Sequence, residues 1–554
     1  MSYGDVVRAS EETGRRAPSS VVAEASWSPG VTSRWEWRLP DGTRAGLIGA
    51  FILLAGWQVL ASLVFPGRHV VPAPSSVVAT MVGDGFYVPG LRTTLWEALR
   101  GFVAGNLAAL LVAVAALFLP RLARPLHQVG AITYCVPTVA VGPLLLVFLS
   151  ADTTKVIMSA LSVFFVSLVA WVTGLSATDP VALDVVRAYG GRGLDELVRV
   201  RLRAALPSAG GGLALSAPAA ILGAVIGEYL GGNSGLGVDM VSAEEQFQVS
   251  RTWAIGVETT VVSGLCYALV LLACRALGGS PQTGTGNLPV APAQRGERHW
   301  ARLGRAVAPF LSLAGIVALW AISLPVLGLS SYFAKSPAAV WSYLVGGPGA
   351  AANRAAVFGA LGTTLKDAGA GWVVGTASAV LAAAAVVQIP RLRSIVYPVV
   401  MVLRSVPLIA MVPLITLVFG QGSLGVVGIA AIVSFVPTLV LVVSGLETVP
   451  PQALELTRAY NASRTATLFR ISARYATPNL FAAAKVAMPG SILGAVLAEW
   501  LITGSGVGHL MAADLIGSDF SSLWAVVVVV SGVSLLLYEA VGELESFAQK
   551  QVAS

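Results

Sequence analysis

The sequence Asp-Val-Val-Arg-Ala-Tyr-Gly at residues 184–190 returns as Glu-Leu-Thr-Arg-Ala-Tyr-Asn at residues 455–461. At the same spacing of 271 residues, Pro207 returns as Pro478, and the tetrapeptide Ile-Leu-Gly-Ala occurs twice. Further upstream, a spacing of 270 residues relates two copies of the tripeptide Thr-Thr-Leu. A register held over most of 554 residues indicates two copies of one folding unit in a single chain.

The composition places both copies largely within a membrane. Hydrophobic residues make up 56% of the chain, charged residues make up 11%, and the mean hydropathy is +0.78, which lies outside the range of soluble globular proteins. Apolar runs of about 20 residues recur in both copies, and each is long enough to span a bilayer as a helix. We therefore predict an all-α membrane protein with about 12 transmembrane helices in two tandem six-helix repeats. The runs lie near 46–65, 98–119, 126–149, 155–175, 208–230 and 254–274, then near 306–328, 369–389, 395–419, 423–446, 479–502 and 523–543.

The net charge of +7 is compatible with a nucleic-acid partner, but the distribution of the arginines argues against one. Arginines gather before the first span and after the second, fourth and sixth spans, and they are sparse in the opposite loops. This is the positive-inside pattern, which places both termini and the central linker in the cytoplasm. We predict a multi-pass protein of the cytoplasmic membrane, surrounded by the lipid bilayer and without a nucleic-acid partner. Because each copy has an even number of spans, both copies have the same orientation.

Polar stretches outside the apolar runs define the expected domain boundaries. The first 44 residues carry both charge signs, as in a disordered tail rather than a cleaved signal. The interior linker is rich in Gly, Pro and Thr, and roughly twenty flexible residues span about 25 Å, enough to join two adjacent bundles. The predicted divisions are a cytoplasmic disordered tail at 1–44, a first six-span domain at 45–277, a cytoplasmic linker at 278–300, a second six-span domain at 301–547 and a C-terminal tail at 548–554.

The arginine-rich segment between the fourth and fifth spans predicts a short helix in each copy. Pro180 suits the first helical position, because its φ is fixed and its missing N–H needs no partner there. Asp184 lies three residues before Arg187, so the two can pair on one face. Gly190 would end the helix in the left-handed conformation of a C-terminal cap. In the second copy Asn461 takes that position, and asparagine is the best substitute for glycine there.

This segment resembles the coupling loop of binding-protein-dependent ABC importer permeases, in which Glu-Ala-Ala is followed by three residues, a Gly and a later Pro. The two alanines are replaced in both copies, and the glycine is replaced in the second. The resemblance covers about 90–275 and 360–545, and it implies that each short helix docks into a groove on an ATPase subunit. The coupling-loop residues carried over are Asp184, Arg187, Ala188, Tyr189, Gly190 and Pro207 in the first copy, and Glu455, Arg458, Ala459, Tyr460, Asn461 and Pro478 in the second.

Within this family, the sequence resembles the nitrate, sulfonate and taurine branch of these permeases. Members carry prolines six residues apart in the third span, as at Pro407 and Pro413. They also end the fifth span with a Glu followed by a Gly-Leu-Gly-like turn, as after Glu228 and Glu499. The resemblance implies the type I permease fold, two fused permease domains and an extracytoplasmic solute-binding protein. It implies nitrate, sulfonates, taurine or vitamin precursors as solutes, without identifying which.

Ionisable residues and prolines within the spans are candidates for the translocation path. An anionic solute would explain the cations Arg404 and Lys485, although Arg404 lies shallow enough to reach cytoplasmic water instead. The two glutamates are candidates for an outer gate, with snorkelling to water as the alternative. For the prolines, a simple helix kink is the alternative to a gate. The full set of path candidates is Pro137, Pro143, Glu228, Arg404, Pro407, Pro413, Lys485 and Glu499.

The sequence predicts a permease that is not itself an enzyme. A phosphate-binding P-loop needs Gly-Lys-Ser or Gly-Lys-Thr after a glycine-rich turn, and none of the five lysines follows a glycine. We therefore expect no cofactor or metal on this chain, with ATP and Mg²⁺ on two partner ATPase subunits. The predicted function is import of a small solute by alternating access in an ATP-driven ABC transporter. The alternative is a gradient-driven secondary transporter of six plus six spans, a class that also uses parallel halves.

Overall fold

The computed structural model describes the chain as a bundle of helices. The described residues are 51, 54–59, 61–62, 71–119, 130, 132–276, 314–315, 317–326, 328–389, 392, 396, 412, 415 and 419–553. No β-strand occurs within them. The first-half helices are α1 (Pro74–Gly83), α2 (Val88–Phe118), α3 (Thr138–Phe148), α4 (Ala151–Ser176), α5 (Pro180–Ala188), α6 (Leu194–Gly231), α7 (Leu236–Glu245) and α8 (Val249–Ala276). The second-half helices are α9 (Val317–Val326), α10 (Pro337–Trp341), α11 (Ala350–Gln388), α12 (Ser423–Glu447), α13 (Pro451–Ala459), α14 (Arg464–Leu501), α15 (Gly506–Ile516) and α16 (Phe520–Ala553).

Eight of the described helices are long and apolar enough to cross a membrane. They are α2, α4, α6 and α8 in the first half, and α11, α12, α14 and α16 in the second. Each coincides with a predicted span. The other four predicted spans, near 46–65, 126–149, 306–328 and 395–419, fall wholly or partly outside the described residues. Helices α2 and α4 to α8 recur in the same order as α11 and α12 to α16, which confirms an all-α membrane protein built from two tandem repeats.

Small residues let the long helices approach one another closely. In the first half α4 packs against both α2 and α6, and in the second half α12 packs against α11 and α14. A Cβ atom on Gly105 would lie 2.6 Å from the carbonyl oxygen of Ala160, and one on Gly371 would lie 2.8 Å from that of Val427. Gly105 and Gly371 each belong to a Gly-xxx-Gly pair, with Gly101 and Gly375 respectively, so these pairs are contact surfaces between helices.

The two halves share one core. Buried residues of both halves belong to the same apolar cluster, including Leu144 of α3 and Ile492 of α14. A hydrogen bond crosses between the halves as well, because the hydroxyl of Tyr134 donates to the carbonyl oxygen of Val486 at 2.7 Å. The halves are therefore packed against each other and not simply joined by a linker.

Candidate coupling segments and buried clamps

The short helix α5 begins and ends as the sequence predicts. Asp179 precedes it and accepts a hydrogen bond from the backbone N–H of Val181 at 2.9 Å, an N-terminal cap that the sequence analysis did not single out. Pro180 occupies the first helical position, and Gly190 follows the helix with a φ of +82°. A glycine suits that left-handed position because it has no Cβ.

The second short helix, α13, repeats this geometry with different residues. It begins at Pro451 and ends at Ala459. Asn461 then takes a φ of +50°, the same left-handed region that Gly190 occupies in the first half. The predicted substitution of asparagine for glycine at a left-handed cap is thus confirmed. Both halves therefore place a short helix and a reversing turn between the fourth and fifth spans.

Arg187 connects α5 to the helix that follows it. Its Nη1 lies 3.3 Å from Asp184 Oδ1, so the predicted pair is formed. The closer partner is Glu196, whose Oε1 lies 2.8 Å from Arg187 Nε. Hydrogen bonding to Glu196, followed by the charges of Glu196 and Asp184, raises the pKa of Arg187 above its usual value. Sequence spacing alone did not indicate Glu196, since it lies nine residues from Arg187 and beyond a turn.

Both segments present an exposed apolar face. Tyr189 is 90% exposed and Tyr460 is 80% exposed, although tyrosine carries a large apolar ring. The exposed residues Val181 and Val185 of α5 and Tyr189, which directly follows it, are spaced four apart, so they lie on one face of this segment. The exposed Leu456 of α13 and Tyr460, directly after that helix, continue the pattern. An apolar face directed away from the rest of the chain is typical of a surface that binds another protein.

The remaining coupling-loop candidates lie close to these faces. The backbone of Arg458 lies in α13, while its side chain is outside the described part of the molecule. Pro207 and Pro478 lie inside α6 and α14, each a few residues after a π-helical turn that begins the long helix. These turns, at Leu197–Arg201 and Leu468–Ser472, occupy matching positions in the two halves. Exposed candidates around the helices are Asp184, Ala188, Glu455 and Ala459.

At the opposite end of α6, Glu228 is part of a buried clamp. The side chain is only 1% exposed. The hydroxyl of Thr94 donates to its Oε1 at 2.7 Å, and the backbone N–H of Gly237 donates to its Oε2 at 2.8 Å. The N–H of Leu236 donates in turn to the Thr94 hydroxyl at 2.9 Å. The clamp therefore supplies partners to the first turn of α7, where backbone N–H groups lack helical partners.

The second half contains the same clamp around Glu499, which is also 1% exposed. The Thr364 hydroxyl donates to Glu499 Oε2 at 2.7 Å, and the N–H of Gly508 donates to that oxygen at 3.0 Å. The N–H of Val507 donates to the Thr364 hydroxyl at 2.9 Å. Two carboxylates this deeply buried do not snorkel to water. Each is a structural tie between a second span, a fifth span and a short helix.

Glycines make room for the two clamps. Gly235 has a φ of +124° and Gly506 has a φ of +90°, both in the left-handed range. A Cβ on Gly235 would collide with the Glu228 carboxylate, and a Cβ on Gly506 would collide with the Glu499 carboxylate. Glycine is therefore required for two reasons at each position, because of the backbone conformation and because of the space available.

A buried ion pair lies beside the first clamp and was missed by the sequence analysis. The Lys155 Nζ lies 2.5 Å from Glu97 Oε1, and both side chains are almost completely buried. Asp152, largely exposed, lies 3.2 Å from the same ammonium group. The second half has Asp367 in place of Glu97, and there the Ser423 hydroxyl donates to the aspartate at 2.9 Å. A charge at the edge of an apolar span needs a partner, which was the available signal.

The remaining path candidates divide into described and undescribed residues. Lys485 lies within α14, 3.6 Å from Glu545 and 4.8 Å from the ring centre of Tyr538, so its charge has an acidic and an aromatic partner. Pro137 immediately precedes α3, and Pro143 lies inside it. The candidates Arg404, Pro407 and Pro413 lie outside the described residues.

Comparison with known proteins identifies the family. The family model described as "Binding-protein-dependent transport system inner membrane component" matches residues 101–337 and 375–544. The two matched regions together cover more than half of the chain, which belongs to this family. It is accordingly an ABC importer permease and a multi-pass protein of the cell membrane. No solved structure gives a significant match to the chain.

Several curated relatives are similar to parts of the chain. A probable ABC transporter permease protein of Haemophilus influenzae is 30% identical over 205 residues, which is 37% of this chain and 84% of the relative. The putative aliphatic sulfonates transport permease protein SsuC of Bacillus subtilis is 28% identical over 240 residues, covering 43% and 87%. The formylaminopyrimidine transport permease protein ThiX of Halalkalibacterium halodurans is 23% identical, covering 44% and 94%. Each relative thus aligns over most of its own length with less than half of this chain.

Proposed function

We propose that this chain forms the complete transmembrane pathway of an ATP-driven importer, with two fused permease domains and two coupling helices. The observation that carries the proposal is the repeated geometry of α5 and α13. Both begin at a proline and are followed by a left-handed residue, and both present an exposed tyrosine. A homodimeric permease would present two such helices from two chains, whereas this chain carries both.

Long helices provide a route by which movement of a coupling helix reaches the outer side. Helix α6 runs from Glu196, beside α5, to Glu228 in the buried clamp as one long helix, with a π-helical turn near its start and Pro207 and Pro218 inside it. At 1.5 Å per residue, that distance along the helix is about 48 Å. Helix α14 makes the corresponding connection to Glu499 in the second half. We propose that tilting of these helices opens the pathway alternately to the two sides.

The proposed arrangement implies particular partners and a particular membrane topology. Each coupling helix binds one ABC ATPase subunit, so one chain assembles with two of them. ATP and Mg²⁺ bind to those subunits, while this chain holds no cofactor and hydrolyses no ATP. The coupling helices, the linker and both termini face the cytoplasm, and an extracytoplasmic binding protein delivers the solute. The proposed domains remain 45–277 and 301–547, joined by the linker at 278–300.

We propose a small solute of the kind named in the relatives, without assigning one. The names of the relatives include aliphatic sulfonates, formylaminopyrimidine and riboflavin. The positive charge of Lys485 is not by itself an argument for an anionic solute, because Glu545 and Tyr538 already interact with it. The prolines of the third spans and Arg404 stay candidates for the path on sequence grounds.

Copurification tests the proposal directly. The full chain would be expressed with a candidate ABC ATPase from the same organism, and the number of ATPase copies per chain measured by native mass spectrometry. We expect two. Tyr189→Ala should reduce this to one, because the exposed ring contributes to docking but not to the fold. Phe247→Ala is the matched control, since Phe247 is 89% exposed in the turn between α7 and α8, away from the coupling helices. A chain that transports solute alone, driven by an ion gradient and indifferent to ATP, would instead support a secondary transporter.

A further inference from the structure

The joint between α5 and α6 is built from more than one contact. Arg187 approaches Glu196 side-on, with Nε at 2.8 Å from Oε1 and Nη2 at 3.4 Å from Oε2. Two parallel contacts between a guanidinium and a carboxylate fix their relative orientation as well as their distance. Glu196 is also mostly buried, with 13% of its side chain exposed. The joint is therefore more restrained than an ordinary surface ion pair.

The same carboxylate extends the joint to the fourth span. Arg201 Nη2 lies 3.9 Å from Glu196 Oε2. The Nη1 of Arg201 donates to the carbonyl oxygen of Leu175 at 3.1 Å, close to the end of α4. Glu196 thus lies between a guanidinium on the coupling helix and a guanidinium anchored to a transmembrane helix. Helix α5 is therefore connected to both α4 and α6 through charged groups.

The second half does not carry these groups at the matching positions. At the spacing of 271 residues, Glu196 corresponds to Thr467 and Arg201 corresponds to Ser472. Neither residue has a charge, so the connection between α13 and α14 cannot be made through them as an ion pair. The coupling helices themselves are alike, whereas the residues behind them differ at these two positions.

We propose that Glu196 is a positioning residue that ties the first coupling helix rigidly to α6, so that the two coupling helices transmit movement through unequal joints. The functional meaning rests on the proposed role of α5 and α13 in binding ATPase subunits. In that setting the first half follows its ATPase subunit closely. The second half follows through a joint that has Thr467 in place of Glu196 and Ser472 in place of Arg201. The mechanical asymmetry belongs to the permease and would exist even with two identical ATPase subunits.

Hydrogen exchange on the full chain in lipid nanodiscs tests the joint without any partner. We expect Glu196→Gln to speed amide exchange in residues 181–190 by about threefold, as for the loss of a restrained ion pair on a locally opening segment. Exchange in residues 452–461 should not change. Raising the salt concentration should speed exchange in the first segment more in the native chain than in Glu196→Gln, because salt screens the pair with Glu196. In the variant only the exposed pair of Arg187 and Asp184 remains to be screened.

Asp195→Asn provides the matched control. Asp195 is the neighbouring acid on the same helical turn, but it pairs with Arg199 at 3.2 Å and not with the coupling helix. It should therefore leave exchange in residues 181–190 unchanged. Equal effects of Glu196→Gln and Asp195→Asn, or an unchanged rate in Glu196→Gln, would overturn the proposal. If Glu196→Gln is not recovered folded, Arg187→Lys serves instead, since lysine keeps the charge but lacks the planar fork.

The outcome separates this inference from the proposed function. If the chain shows the salt-sensitive effect but never binds an ATPase, the proposed joint stands and the proposed coupling role is overturned. If the chain binds two ATPase subunits but Glu196→Gln has no effect, the proposed importer function stands and the proposed asymmetry is overturned. With both established, Glu196→Gln should lower the amount of solute moved per ATP hydrolysed, while Asp195→Asn should not.

Discussion

Thr94 and Glu228 lie 134 residues apart in the sequence and share a buried hydrogen bond of 2.7 Å. Thr364 and Glu499 repeat the same bond in the second half, also at 2.7 Å. Each threonine also accepts a hydrogen bond from the first turn of the short helix that follows the fifth span. The threonine is thus the common element of the clamp, because it satisfies a carboxylate and a backbone N–H at once.

Replacing Thr94 should therefore destabilise the protein more than replacing its neighbour. Thr94→Val keeps the shape of the side chain but leaves a carboxylate oxygen and the N–H of Leu236 without this partner. We expect a loss of about 2 kcal/mol in the free energy of unfolding, since an unsatisfied buried polar group costs about 1–3 kcal/mol. Thr93→Val is the control, because the Thr93 hydroxyl is exposed and bonds to Pro89 of its own helix. Thermal unfolding in detergent compares the two, and equal midpoints would contradict the clamp.

The glycines of the clamp predict a second contrast. Gly506→Ala places a Cβ against the Glu499 carboxylate at a φ of +90°. We expect a loss of at least about 2 kcal/mol, because left-handed backbone strain alone costs about 1–3 kcal/mol. Gly504→Ala, two residues earlier, should be tolerated, since no heavy atom lies within 4 Å of its added Cβ. The yield of monodisperse protein in size-exclusion chromatography measures both variants. A normal yield of Gly506→Ala would show that the site relaxes easily.

Removing one member of the buried pair of Glu97 and Lys155 should destabilise the protein much more than removing both. Lys155→Met alone leaves a buried carboxylate without its counter-ion, and breaking such a pair costs about 3–5 kcal/mol. The double variant Glu97→Leu with Lys155→Met removes both charges and should recover much of that loss. A double-mutant cycle on thermal unfolding measures the coupling.

Asp152 provides the control for this pair. It also contacts Lys155, but its side chain is 76% exposed. Asp152→Asn should therefore change the free energy of unfolding by no more than about 1 kcal/mol, as for other exposed pairs. A larger effect at Asp152 than at Glu97 would mean that the exposed carboxylate, and not the buried one, stabilises the ammonium group.

The contact between the halves predicts a smaller effect. Tyr134→Phe removes the hydroxyl that donates to Val486 and keeps the ring stacked on Phe165, whose centre lies 4.3 Å away. The expected loss is about 1 kcal/mol, the usual net contribution of one hydrogen bond. Tyr134→Ala should lose considerably more, because it removes the ring packing as well. Thermal unfolding distinguishes a contact made mainly by the hydroxyl from one made mainly by the ring.

Local features were predictable from the sequence because their causes are local. The proline start of α5 and the left-handed residues at Gly190 and Asn461 follow from the conformational limits of those residue types. The repeat could be recognised because residues such as Pro207 and Pro478 keep one spacing. Eight of the predicted spans appear as long helices, since an apolar run of about 20 residues has few other stable forms in a bilayer.

The clamps and the buried ion pair depend on contacts between distant parts of the chain. Periodicity places Glu228 near the end of a span, but it does not reveal that Thr94 faces it. The sequence therefore left snorkelling open for a side chain that proves to be buried. Lys155 and Glu97 each lie at the edge of a predicted span, where a charge needs a partner, but the sequence does not show that they face each other. Glu196 was missed for the same reason, since a turn separates it from Arg187.

Lys155 also shows what tandem fusion allows. In a transporter assembled from two identical polypeptides, a lysine at this place would be present twice, facing two acids related by the symmetry axis. Here a single gene specifies both sides, so one side holds a buried ammonium group while the other holds the Ser423 hydroxyl against Asp367. Selection can thus change the buried charges of one half while the other half stays as it was.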